Sequence, residues 1–563
     1  MSAPKKRHEF CFHFPRMIHR YFHGKWQYQI LAQAWLLFVL PAFATDSVQP
    51  IDWWTAQRGR IPIAVQAFNI LQHAEKDGLD PRDYLLPAWA GAIAGVNPSS
   101  GASGTVETSR MESPLPDTQM SAMAHALEDA MHRYLHDLHF GRINAAAVYA
   151  NFKAPPKTLD IGATLKAAIA AGNLNIAVHA ATPKFPMYQP LKRWLERFRS
   201  LERTTEWRST LPPLPRNKLE PNQPYAGLAS LSARLVLLGD LPPDLPLPDR
   251  YAGALVNAIQ QFQTRHGLVA DGVIGKTTFA QLNVTPADRA DQIALTMERL
   301  RWTPLMTQRR MLLVNLPEFV LRGLEIDGIR VHSAVEMKVI VGQALSTRTP
   351  LLYEEMREIE FNPYWRVPQS IAAAELVPKL RRDPAYFDRE GFEFVTGPDQ
   401  VRAQLSEDLL SAVLRGEARL RQRPGPKNAL GNIKFIFPNN DNIYIHHTPA
   451  VSLFRRDQRD LSHGCIRAEN PLALAEFVLA ADPGWPRERI VEAMAAGQSR
   501  KIRIKNPLPV VIAYGTAVVK QAGGPIFFYR DVYGHDQELK AALKNRNKRS
   551  PGQGENQNRL NNR

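Results

Sequence analysis

"NIYIHHTPAVSLFRRDQRDLSHGCIRAENP", Asn442 to Pro471, decides the fold of the second half of this chain. His446 ends an apparent strand, "NIYIH", and Cys465 follows 19 residues later. Between them runs a loop with one apolar anchor pair, Leu453 and Phe454. Beyond the cysteine, Asn470 reads as a helix N-cap, and Pro471 suits the first helical position, where a missing N–H costs nothing. The thiol is therefore expected in a turn between a strand-borne histidine and a helix start.

Cys465 is one of only two cysteines in 563 residues. A thiol acts as a nucleophile when it becomes thiolate, and neighbouring cations favour that form. His446, His463 and Arg467 are the candidates to supply that field. Gly464 lets a substrate approach the backbone closely. The Cys465 amide, with that of Gly464, is a candidate oxyanion hole, the device that stabilises charge developing on a carbonyl oxygen.

Upstream, the basic residues Lys5, Lys6, Arg7, Arg16, Arg20 and Lys25 precede the apolar run "ILAQAWLLFVL", Ile30 to Leu40. The run has the length of a signal h-region and is shorter than the roughly 20 residues of a membrane span. Pro41 then Ala42-Phe43-Ala44 completes a signal-like pattern. Residues 1–44 are read as a signal peptide cleaved after Ala44, with an uncleaved anchor as the alternative. The expected location is periplasmic. Cys11 would leave with the signal, so the mature chain would keep Cys465 alone. Exported proteins usually pair their cysteines or lack them, so a single thiol is either buried and inert or reactive.

The formal charge of +16 is concentrated at the two ends. The tail "KNRNKRSPGQGENQNRLNNR", Lys544 to Arg563, lacks a run of apolar residues and is expected to be disordered. The basic ends suit contact with a membrane or cell-wall surface, and nothing resembles a nucleic-acid reader.

A chain of this length holds several domains. Gly95–Gln119 and Ser209–Gly227 read as loops, rich in Ser, Thr, Gly and Pro. Between them, "MAHALEDAMHRYLHDLHFG" sets Leu127, Met131, Leu135 and Leu138 on one helical face. His132, His136 and His139 share a face of the same helix without an acidic ligand pattern, so no metal is assigned. In "YAGALVNAIQQFQTRHGLVADGVIGKTTFAQLN", Tyr251 to Asn283, Leu255, Ile259 and Phe262 share a face. Gly267 suits a left-handed helix cap there. From Met311 the pattern turns to strands, with Asp327-Gly328 as a hairpin turn. Helical patterns interrupt the strands at "SIAAAELVPKLRRDP" and at about 401–420.

The block "QFQTRHGLVADGVIGKTTFAQL" resembles the small helical peptidoglycan-binding module of cell-wall enzymes. "SHGCIR", with "YIHHTP" upstream, resembles the L,D-transpeptidase catalytic domain. "MKVIVG", "TRTP", "FNPYWRVP" and "LVPKLRRDP" are similar to other signatures of that family. The likeness is to the long form, in which a scaffold region precedes the module. It implies a multidomain α+β protein, with a mostly β catalytic domain carrying a helical insertion. The implied limits are a signal peptide at 1–44, an N-terminal segment and flexible loop at 45–119, and a helical scaffold at 120–248. The module follows at 249–285, a connector at 286–309, and the catalytic domain at 310–505, with a cap at about 370–435. A C-terminal extension and basic tail fill 506–563.

Carried over residue by residue, the resemblance makes Cys465 the nucleophile and His446 its base. Ser462, His463, Gly464 and Arg467 would support the turn or the oxyanion, and Arg467 could meet a substrate carboxylate. Tyr444 and Trp365 would border the donor pocket. His446 and His447 point to opposite faces of a strand, so one alone can face the thiol, and the spacing favours His446. The implied reaction is 3→3 cross-linking of peptidoglycan stem peptides through a Cys465 thioester, releasing D-alanine from a tetrapeptide. It needs neither metal nor organic cofactor, and carbapenems would acylate the same sulfur. Stem peptides and glycan are the implied partners, with other cell-wall synthesis proteins as further candidates. Attachment of a lipoprotein to the wall, or a non-catalytic wall-binding scaffold, are the alternatives.

Overall fold

The structure is a computed structural model that describes Trp53 and residues 62–85, 117–207 and 210–548. The signal-like segment, the Gly95–Gln119 loop up to residue 116 and the tail beyond 548 lie outside the described residues.

Fifteen strands carry the second half among the described residues. β1 (Arg310–Asn315), β2 (Val320–Asp327), β3 (Arg330–Gly342) and β4 (Leu352–Phe361) come first. The chain then leaves for a smaller sheet of β5 (Trp365–Arg366), β6 (Phe392–Thr396), β7 (Gln400–Arg402) and β8 (Ala418–Gln422). It returns through β9 (Ile433–Ile436), β10 (Ile445–His446), β11 (Asp460–Ser462), β12 (Ile466–Ala468) and β13 (Arg500–Ala513). β14 (Ala517–Val519) and β15 (Ile526–Phe528) form a separate hairpin.

The main sheet runs β11-β3-β12-β10-β9-β4-β13-β1-β2. Its hairpin between β2 and β3 turns one residue later than the sequence indicates: Asp327 pairs with Arg330, so Gly328, at φ +58°, and Ile329 form the two-residue loop. In β3 the stretch Val339, Ile340 and Val341 is wholly buried, and so is Val510, Val511 and Ile512 in β13. Neighbours along a strand face opposite sides, so both faces of the sheet are covered there. Each such side chain stabilises the fold by about 1.5–3 kcal/mol.

β13 continues past residue 505, the expected end of the catalytic domain, with a break in its register against β4 between Arg503 and Leu508. Its pairing with β4 on one side and β1 on the other commits residues 508–513 to the central sheet. Further on, the helix His535–Lys548 occupies the start of the stretch expected to be a disordered tail. The insertion also departs from expectation. It carries helices, but around them β5 to β8 form a four-stranded sheet with its own core of Phe387, Phe392, Phe394 and Leu420. The helix expected over 401–420 is confined to Glu407–Arg415, between β7 and β8. Strands of three to five residues such as "ARLRQ" alternate too briefly, and carry too much charge, to announce themselves.

The regions before the sheet are helical. Leu127, Met131, Leu135 and Leu138 of the helix Asp117–Phe140 are all fully buried. In the helix Ala254–Arg265, Leu255, Ile259 and Phe262 face the core, and Gly267 follows at φ +62°. Tyr529, just past β15, packs beside Gly267, which ties this module to the C-terminal extension.

Candidate active site

β10 and β12 lie side by side and parallel, with Ile445 opposite Ile466 and His446 opposite Arg467. The Ile466 amide donates to the Tyr444 carbonyl at 3.0 Å. Cross-strand partners share a face, as do residues two apart. Tyr444, His446, Cys465 and Arg467 therefore gather on one side, and His447 turns to the other. His447 packs on Gly431, and its Nδ1 accepts from the Asn432 amide at 3.4 Å.

The turn bearing the cysteine is held from within and from beneath. Gly464 sits at φ +115°, a left-handed conformation that L side chains rarely adopt, and an added Cβ would lie 3.2 Å from Ile443 Cδ1. Ser462 Oγ donates to the Cys465 carbonyl at 2.6 Å and accepts from the Gly464 amide at 3.2 Å. The Gly464 N–H is thus spent inside the turn, which removes it from the expected oxyanion pair. Among the described residues nothing accepts from the Cys465 N–H. The "TRTP" loop supports the turn: Thr347 Oγ1 donates to the Ser462 carbonyl at 3.0 Å, and Thr349 Oγ1 to that of Gly464 at 2.7 Å. Thr349 Oγ1 also accepts from the Gly342 amide at 2.9 Å. Tyr533 closes the arrangement, donating to the Gly342 carbonyl at 2.6 Å and accepting from the Thr349 amide at 3.3 Å. Past the cysteine, Asn470 caps the helix Pro471–Leu479 through the Ala473 amide at 3.1 Å, as its sequence indicates.

His446 is 4% exposed, and its Nδ1 lies 2.5 Å from the His447 carbonyl. A carbonyl only accepts, so Nδ1 carries the proton and Nε2 keeps a lone pair. Burial, reinforced by the Arg467 charge, lowers this imidazole's pKa to about 3 and keeps it neutral. Burial likewise pushes the Cys465 thiol above its ordinary value, against the opposing pull of Tyr444, Lys434 and Arg467. The resting pair is neutral thiol and neutral imidazole, not the thiolate beside an imidazolium that the sequence suggested. Cys465 Sγ instead donates to the Asn442 carbonyl at 3.7 Å.

His463, the other expected source of positive charge, faces outward. Its Nε2 meets Glu375 Oε1 at 2.6 Å, joining the cysteine-bearing turn to the insertion. Trp365 lies on β5 and packs toward Phe392 at 6.4 Å between ring centroids, against the insertion's own cluster. Among the described residues no ring pairing or hydrogen bond joins it to Tyr444 or Cys465. Sequence reasoning passed over Asn442, Tyr533 and above all Lys434, whose Nζ lies 3.9 Å from the Tyr444 ring centroid. Thr347 and Thr349 stood in a quoted signature, but no role was attached to them.

The sequence of residues 309–512 matches the L,D-transpeptidase catalytic domain family. This chain carries an L,D-transpeptidase domain. Residues 44–195 match a scaffold domain and residues 226–282 a peptidoglycan binding domain, both ahead of the transpeptidase domain. A Haemophilus influenzae protein provisionally named an L,D-transpeptidase is 33% identical over 251 residues, 45% of this chain. The alignment spans about half of that relative, 49% of its length. The crystal structure of an L,D-transpeptidase from Xylanimonas cellulosilytica is 14% identical with a TM-score of 0.16, covering 54% of this chain and 100% of that one. A Clostridium acetobutylicum protein described as a fused zinc-dependent amidase/peptidase and peptidoglycan-binding protein is 14% identical with a TM-score of 0.14, covering 46% and 93%. Likenesses at such scores add nothing to the transpeptidase domain's assignment.

Proposed function

We propose that this protein is a cysteine-dependent L,D-transpeptidase that forms 3→3 cross-links between peptidoglycan stem peptides. The observation that carries the reading is the shared face of β10 and β12, which sets Cys465 beside a buried, neutral His446 with a free Nε2. The peptidoglycan binding domain supports the wall polymer as substrate. Work on that polymer lies outside the cytoplasmic membrane, in keeping with the signal-like character of residues 1–44.

In the first half-reaction the thiol turns from Asn442 toward the imidazole. Nε2 of His446 takes the proton as Sγ attacks the carbonyl of the third stem residue. The oxyanion is met by the unbonded Cys465 N–H. Collapse breaks the peptide bond, the protonated Nε2 gives its proton to the leaving D-alanine amine, and a thioester remains. In the second half, the side-chain amine of another stem's diamino acid attacks the thioester. His446 relieves that amine of a proton and returns one to the departing sulfur.

The test uses purified disaccharide-tetrapeptides with wild type and Cys465→Ala, read by mass spectrometry with fragmentation. A dimer lacking one D-alanine, joined diamino acid to diamino acid and absent with the variant, is the expected product. Tripeptide without dimer would reassign the acceptor to water or a lipoprotein. Absence of any D-alanine release from folded protein would favour a non-catalytic wall-binding role.

A further inference from the structure

Register extends the active face well beyond the two strands that carry the thiol and the imidazole. Lys501 of β13 lies opposite Glu360 of β4, Glu360 opposite Lys434 of β9, and Lys434 opposite His446 of β10. His446 in turn lies opposite Arg467 of β12. One face of five adjacent strands thus presents Lys501, Glu360, Lys434, His446 and Arg467 in a single row, with the neutral imidazole between two cations.

Neither flanking cation is in a salt bridge among the described residues, although Glu360, beside Lys434 in the row, favours its charged form. Lys434 makes no ion pair among the described residues; its ammonium rests over the Tyr444 ring. Arg467 is half-buried, and its Nε is buried with no hydrogen-bond partner. Burial lowers the pKa of both groups, Lys434 and Arg467 alike. Half-buried charges without a salt-bridge partner are costly to a fold, and such charges cluster where a ligand completes them.

The geometry says which anion fits. Cys465 and Arg467 are two residues apart, about 7 Å along an extended chain. A sulfur poised to attack stands about 3–3.5 Å from the scissile carbonyl carbon. In a donor cut before its last residue, the terminal carboxylate is three bonds further on, adding about 4 Å. Lys434 and Arg467 stand one on each side of His446, about 10 Å apart at the backbone, within reach of one carboxylate through their long side chains.

We propose that Lys434 and Arg467 together seat the C-terminal carboxylate of the donor peptide. This rests on the donor reading above and deepens it. The seat makes the enzyme measure distance from the chain end, so that it cleaves before a terminal residue and not within a longer stem.

The experiment compares a disaccharide-tetrapeptide bearing a free terminal carboxylate with the same donor as its C-terminal carboxamide. Acylation of Cys465 is followed by intact mass in wild type, Lys434→Met and Lys434→Arg, each shown to be folded by thermal melting. Wild type is expected to prefer the carboxylate donor by roughly tenfold to hundredfold, the range of a charge-assisted hydrogen bond. Lys434→Met is expected to shrink that preference to a few-fold with the loss falling in KM, and Lys434→Arg to restore most of it. Equal slowing of both donors by Lys434→Met would overturn the seat, and so would an unchanged preference. If Lys434→Met does not fold, the preference of Lys434→Gln decides in the same way. Wild type that acylates with neither donor would overturn the donor reading itself, an outcome distinct from equal slowing.

Discussion

Thr349→Val isolates the support beneath the cysteine-bearing turn. Thr349 is wholly buried, and its one hydroxyl serves two backbone groups, donating to the Gly464 carbonyl and accepting from the Gly342 amide. Valine has nearly the same shape, so packing is kept and both backbone groups lose their partner. Each buried group left unsatisfied costs about 1–3 kcal/mol, which gives about 2–4 kcal/mol for the pair after local relaxation. Because the defect is confined to the "TRTP" loop and the cysteine turn, it acts on local opening more than on the whole molecule. At 1.4 kcal/mol per tenfold, amide hydrogen exchange in peptides spanning 342–351 and 460–468 should quicken about 30-fold to 1000-fold. The helix Asp117–Phe140 should exchange as before. Acyl-enzyme formation should fall in parallel, since the Gly464 carbonyl sets the direction of the Cys465 N–H. Unchanged exchange in both peptides, together with full acylation, would refute the clamp.

Two further outcomes separate the roles of the groups around the thiol. With a neutral His446 and a thiol pushed up by burial, alkylation of Cys465 by iodoacetamide should rise only as pH climbs past the ordinary thiol range. An inflection near pH 6–7 would show a thiolate–imidazolium pair and contradict the electrostatics above. His446→Ala should lower acylation by about 100-fold or more, the usual weight of a general base, whereas His447→Ala, on the opposite face, should keep most of the rate. Similar losses in the two variants would mean that both rings reach the sulfur.

Much of the site was legible because its grammar is local. A strand, a loop, a left-handed glycine and a capped helix follow one another within thirty residues, and each is signalled by residue type: Asn470 and Pro471 at the helix start, Gly464 in the turn. The alternation of a strand meant that only one of His446 and His447 could face the thiol, and the spacing to Cys465 favoured His446. Lys434 could not be found this way. It lies twelve residues before His446 in "NIKFIF", an ordinary strand, and becomes part of the site only through the pairing of β9 with β10. The thiol's environment was misjudged for a related reason. Sequence shows that histidines are near, but burial decides whether they carry charge, and burial is a property of the whole sheet. The same holds for the outward turn of His463, which depends on a glutamate 88 positions away.

Tyr533 has a bearing on when the cysteine-bearing turn is complete. Its hydroxyl bridges Gly342 and Thr349, and β1 waits for β13 as its parallel neighbour. A ribosome delivers Cys465 well before it delivers either Tyr533 or the last residues of β13. Until those arrive, the loop under the cysteine lacks its anchor and the sheet its centre. The turn that carries Cys465 is therefore completed as nearly the last act of folding, and a chain cut short before Tyr533 would hold its thiol on an unanchored loop.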